Sequence, residues 1–211
     1  MTGNDFKYLM VLHPPGAGGN HIANLISLCP GISPRFHTDD YINCIYNIYK
    51  QISRGKENQT CHGSKTAILQ NLQSESLLKN VDYIKSLKDK FVFTSHAQEL
   101  YTDHNYFKKL NFNPIRYILA SYPTNPGLLK RVKTGPWVSG NPSDRPELYN
   151  KEYFKDIDPS HITLFNTDQF MYKNGYSYLQ EVLFSSYNLS LDDKHSVLHT
   201  TFVDFVNRVF G

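Results

Sequence analysis

An excess of charge of either sign is missing from this chain of 211 residues. Lys and Arg number 22 and Asp and Glu 19, for a net charge of +3. That balance does not fit a protein that coats nucleic acid, so no nucleic-acid partner is expected. Cysteine is also scarce. Cys29, Cys44 and Cys61 are odd in number and lack metal-ligand spacing, which speaks against a disulfide framework and predicts reduced thiols. Long hydrophobic runs are absent. Nothing approaches the roughly 18 apolar residues of a membrane helix, so no membrane span is expected. Met1-Thr-Gly-Asn-Asp5 has neither a basic start nor an apolar run, and a cytoplasmic location is the expectation. There is no internal repeat and no low-complexity tract.

What is present is enough for one domain, 1–211, with a sizeable core. Hydrophobic residues make up 40% and charged residues 19%. Aromatics reach 14%, with 15 Tyr and 13 Phe. They suit a core and half-buried surface, or stacking platforms for a base or a sugar.

The most informative stretch runs from Tyr8 to Leu28. An apolar segment, Phe6 to His13, reads as a strand buried on both faces. It ends in Pro14-Pro15. Gly16, Gly18 and Gly19 then fall within four residues, and Ile22, Leu25, Ile26 and Leu28 follow on one side of a helix from Asn20 to Leu28. Strand, glycine-rich turn and helix together are expected to form an anion site, the alternative being a tight strand-to-helix turn without a ligand. Glycines turn successive N–H groups into one concavity, and the helix adds its free N–H groups and dipole. The ligand end expected there is phosphate or sulfate. The Walker pattern is absent, because no Lys follows Gly18 or Gly19, and His21 breaks the dinucleotide pattern at its last glycine.

Further along, Asp39 or Asp40 caps a second predicted helix to about Ser53. Ile68 to Leu72 and Leu77 to Leu87 read as helical pieces. Phe91 to Ser95 is a second strand ending at His96, and Tyr106 to Leu110 a short helix. Ile115 to Ser121 is a third strand, with a helix from Leu128 to Val132. The Pro-, Gly- and Ser-rich segment 134–146, which holds Trp137, reads as a lid or surface loop. His161 to Asn166 is a fourth strand, residues 174–187 an amphipathic helix, and Leu198 to Phe210 the last helix. Alternating strands and helices predict an α/β fold: three layers, α/β/α, with a central parallel sheet. The ligand then sits at the carboxyl ends of the strands, where the loop at 14–20, His96 and the segment after Ser121 converge.

Those three strand ends, in this order, resemble the P-loop sulfotransferase family, and in outline the resemblance covers most of the chain. Pro15-Gly16-Ala17-Gly18-Gly19-Asn20-His21 lies on the family's 5′-phosphosulfate loop. Phe93-Thr-Ser-His96 matches the strand that ends in the catalytic histidine. Leu119-Ala-Ser-Tyr-Pro123 takes the place of the segment that helps bind a 3′-phosphate, and His161 to Leu189 resembles a later strand and helix. The resemblance implies PAPS (3′-phosphoadenosine 5′-phosphosulfate) as cofactor and a small-molecule or glycan acceptor bearing a hydroxyl or amine. It implies His96 as the base, the loop Pro15 to His21 as the sulfate site, and Ser121, Lys130 and Arg131 near the 3′-phosphate.

The chain departs from the family at several positions. The loop Lys falls on Gly16, the Thr-Thr pair on Gly19-Asn20, and an Arg on Ser121. His21 or His13, if protonated, could stand in for the Lys. Lys130, Arg131 and Lys133 either supply charge to a 3′-phosphate or form a solvated helix face. Tyr41, Tyr49 and Trp137 could cover an acceptor. A catalytically silent nucleotide-binding relative and another P-loop transferase or kinase are the alternative readings. His195 and His199 stand four apart, but with no H-E-x-x-H glutamate and no clear third ligand a metal is not expected.

Overall fold

The computed structural model describes residues 6–14, 16–33, 75–96, 110–134, 157–172 and 174–210. Pro15, the predicted helix to Ser53, the piece at Ile68 to Leu72, nearly all of the Tyr106 helix and residues 135–146 of the predicted lid lie outside them.

Four strands form one all-parallel sheet: β1 (Tyr8–His13), β2 (Phe91–His96), β3 (Ile115–Ala120) and β4 (Ile162–Phe165). Their order is β2-β1-β3-β4. The helices are α1 (Gly19–Ile26), α2 (Glu75–Ser86), α3 (Pro126–Thr134), α4 (Thr167–Phe170), α5 (Gly175–Tyr187) and α6 (Ser196–Phe210). Short 3-10 turns at Pro159–His161 and Asp193–His195 precede β4 and α6. This is the expected α/β alternation with a parallel sheet.

All six residues of β1 are buried, as befits an interior parallel strand. Side chains alternate between the two faces. Leu9, Val11, Val92, Ile118 and Phe165 join one core with Ile22 and Leu25 of α1, Leu179 and Leu183 of α5, and Phe202 and Val206 of α6. Tyr8, Met10, Phe91, Phe93 and Tyr117 join a second core with Phe112 and with Ile84 of α2. Each such buried side chain contributes about 1.5–3 kcal/mol, so both faces of the sheet hold it together.

Element edges differ from the sequence expectation by at most two residues, and several of the shifts have a local cause. Phe6 precedes β1 rather than belonging to it, yet remains in the core. α1 stops at Ile26, where the Ser27 hydroxyl donates to the Asn24 carbonyl at 2.8 Å. α3 begins two residues before Leu128, because the Asn125 side chain accepts the Leu128 N–H at 3.2 Å and so caps it. α4 was not foreseen. Its cap is Asn166, whose side-chain oxygen accepts the Gln169 N–H at 3.0 Å.

Strands β1 and β3 are neighbours whose onward connections lead to opposite sides, to β2 and to β4. Their carboxyl ends therefore flank a switch point, the usual ligand position of an open parallel sheet.

Candidate functional site

The backbone brings the expected strand ends together. His13 and His96 are partners in register at the ends of β1 and β2, and Leu12 pairs with Leu119 near the end of β3. The His96 side chain lies outside the described residues.

The turn after β1 is built by its glycines. The Ala17 N–H donates to the Pro14 carbonyl at 3.0 Å, which closes the turn. Gly16 and Gly18 take φ values of 82° and 83°, in the left-handed region that favours glycine. Gly18 is also the N-cap of α1, and its carbonyl accepts the Ile22 N–H at 3.0 Å. Gly19 is constrained differently. A Cβ placed on it would stand 1.9 Å from Cδ2 of His13. The His13 ring is buried at 4% exposure, with Nδ1 2.9 Å from the Pro14 carbonyl oxygen. A carbonyl only accepts, so Nδ1 donates.

α1 begins with no side-chain cap and no acidic residue in its first turn. The N–H groups of Gly18 and Gly19 have no acceptor among the described residues. An anion at this end would satisfy them and meet the positive end of the helix dipole. Asn20 is half-buried beside the turn and accepts the Thr94 hydroxyl at 3.1 Å, which ties α1 to β2.

Behind the turn stands α6. A Cβ on Gly18 would come within 3.1 Å of the Phe202 ring. Phe202 stacks on His21 with ring centroids 4.1 Å apart, and His21 Nε2 lies 3.4 Å from His199 Nδ1. Both imidazoles are buried, at 2% and 1% exposure. Burial drives the His21 pKa well below the ordinary histidine value, and the charges of His199 and Arg131 push the same way. Burial lowers His199 to about 4, opposed by the Tyr172 and Phe170 carbonyls. A protonated His21 standing in for the loop lysine does not fit these surroundings; the ring is neutral packing between α1 and α6.

The basic trio on α3 is divided. Arg131 is 7% exposed, with its guanidinium carbon 5.5 Å from the Phe202 ring centroid and 5.9 Å from that of Phe205. Lys130 and Lys133 are exposed. Arg131 thus lies behind the glycine turn, with the Phe202 ring packed against both.

After β3, the Ser121 hydroxyl accepts the Thr167 N–H at 3.0 Å, and the Ser121 carbonyl accepts the Thr167 hydroxyl at 2.7 Å. The Asp168 carboxylate accepts the Thr124 N–H at 2.9 Å, the Thr124 hydroxyl at 2.6 Å and the Asn125 N–H at 2.7 Å. A carboxylate of the chain itself therefore fills the anion position at the start of α3. The sequence reading missed Asp168, although Asn166-Thr-Asp-Gln169 carries a capping-box-like spacing that marks a helix start.

Burial pushes the Cys29 thiol up to about 12, which removes it as a nucleophile. Among the described residues no group of three metal-ligating side chains comes together, and no helix is long and apolar enough to cross a membrane. Comparison with protein-family models, with curated proteins and with solved structures returns no match.

Proposed function

We propose that this chain is a sulfotransferase-like enzyme that moves a sulfuryl group from PAPS to a hydroxyl or amine acceptor, on a three-layer α/β/α frame with a P-loop-like opening. The observation that carries the reading is the uncapped start of α1. The Gly18 and Gly19 N–H groups lie at the end of an interior parallel strand, beside a switch point, without an acceptor among the described residues.

These residues fit the sulfate-bearing end of the cofactor. The start of α3 does not fit its 3′-phosphate, because Asp168 already takes the Thr124 and Asn125 N–H groups. Of the basic residues expected near that phosphate, Lys130 and Lys133 are exposed and Arg131 is buried. When bound, PAPS supplies the sulfuryl group. The backbone N–H groups of Gly18 and Gly19 would hold and orient its oxygens. His96, which ends β2 in register with His13, would take the acceptor's proton as the new oxygen–sulfur or nitrogen–sulfur bond forms and the sulfur–oxygen bond to the nucleotide breaks, with adenosine 3′,5′-bisphosphate as the leaving group.

One observation favours the silent-relative reading. Arg131, a buried cation, stands behind the Phe202 ring rather than in the turn. Sulfate transfer separates the two readings. Labelled sulfate from PAPS should reach a phenol, sugar or amine acceptor with the native chain. His96→Ala should slow that transfer by about 100-fold or more while leaving affinity for adenosine 3′,5′-bisphosphate unchanged. A native chain that binds the bisphosphate and transfers nothing would establish the silent reading.

A further inference from the structure

We infer that the depression beyond the ends of β3 and β4 binds a flat apolar ring whose polar edge accepts hydrogen bonds. The inference goes beyond the glycine turn and does not rest on what that turn binds.

The depression encloses about 460 Å³ and is lined by Leu119, Ser121, Tyr122, Leu164, Phe165 and Tyr178, with Asn166 at its rim. That volume suits a small ligand, since such sites span roughly 300–1,000 Å³ and are mostly apolar with a few placed polar groups. Leu164 is 75% exposed although it pairs with Leu119 inside a strand. A ring laid over these two leucines would remove apolar surface from water.

The polar groups share one arrangement. The Ser121 hydroxyl accepts from Thr167 N at 3.0 Å, the Tyr178 hydroxyl from Asn166 N at 2.8 Å, and the Asn166 side-chain oxygen from Gln169 N at 3.0 Å. Each side chain is thus pinned by a backbone N–H, which can only donate. That fixes the Asn166 amide with its oxygen toward Gln169 and its NH2 group available. The two hydroxyls likewise keep their hydrogens. The rim therefore offers donors on supports that cannot swing away. Each hydroxyl has a lone pair left and can meet either kind of edge, but the Asn166 NH2 group only donates: a ligand edge made of acceptors satisfies it, whereas an edge made of donors leaves it unpaired.

Quinoline and indole test this directly. Both are flat and bicyclic and near neutral pH both are uncharged; the ring nitrogen of one accepts and that of the other donates. Neither carries an anionic group for the glycine turn. Calorimetric titration of the full chain should show quinoline binding about tenfold more tightly than indole. Asn166→Asp keeps an oxygen for Gln169 N, and with it the α4 cap, but replaces the two donor hydrogens with a carboxylate. It should weaken quinoline about tenfold at an unchanged melting temperature. Leu164→Gln alters an exposed residue of the apolar floor and should weaken both probes. The proposal is overturned by indole binding as well as quinoline, by no quinoline binding at millimolar concentration, or by quinoline binding that neither variant changes. None of these results bears on anion binding at Gly18 and Gly19, so the two readings fail separately.

Discussion

His21 Nε2 and His199 Nδ1 lie 3.4 Å apart and join the helix that follows the glycine turn to the last helix of the chain. Two neutral imidazoles satisfy this contact, one donating and one accepting. The Phe202 and Phe170 rings pack against the pair, and Arg131 adds positive charge nearby. The folded chain therefore binds protons at these histidines less readily than the unfolded chain does. Stability is full above the ordinary histidine value of 6.5 and falls as pH drops toward about 4, where folded His199 takes up its proton. The loss attributable to His199 is on the order of 3 kcal/mol. Urea midpoints measured between pH 7.5 and 4 should show this slope in the native chain and a shallower one in His199→Leu. Equal slopes would remove His199 from the pH dependence.

Gly19 tolerates no side chain. Its Cβ would enter the His13 ring, which is itself buried and anchored to the Pro14 carbonyl. Gly19→Ala should cost about 3 kcal/mol, at the upper end of overpacking penalties, because neither the ring nor the turn has room to yield. His13→Ala in the same background should recover part of the loss. Denaturant unfolding of both variants checks the pair, and additive losses would show that the ring is not the obstacle.

Asp168 closes the start of α3. Asp168→Ala should lower stability by about 1–2 kcal/mol, the size of a lost helix cap. It should also open the Thr124 and Asn125 N–H groups to solution anions, so sulfate should raise the melting temperature of the variant more than that of the native chain. An equal sulfate response in the two proteins would mean that the carboxylate does not occupy an anion position.

What could be read from the sequence follows the range of each interaction. The β1 strand, its glycines and α1 are neighbours along the chain, and the periodicity of Ile22, Leu25 and Ile26 marked the buried face that joins the first core. The parallel sheet was legible because strands and helices alternate. Phe202 behind Gly18 was not, since the contact spans almost the whole chain and an apolar stripe on α6 does not say what it faces. His199 could be matched to a spacing but not to His21, because a histidine pair across two helices leaves no local pattern. Asp168 was missed for a related reason: it caps a helix that begins 42 residues earlier, at Pro126, and only the meeting of the β3 and β4 ends brings it there. The glycines hinted at an anion; that a carboxylate already fills the next helix start required the fold.

The most direct measurement follows the amide signals of Gly18 and Gly19 in a two-dimensional ¹H–¹⁵N spectrum while adenosine 3′,5′-bisphosphate is added. If the turn holds the phosphate or sulfate end of a ligand, both amides shift progressively and saturably as their N–H groups gain an acceptor, and Gly18→Val removes the response. If both signals stay fixed up to millimolar ligand, the turn is a strand-to-helix connection without an anion, and the transferase reading falls with it.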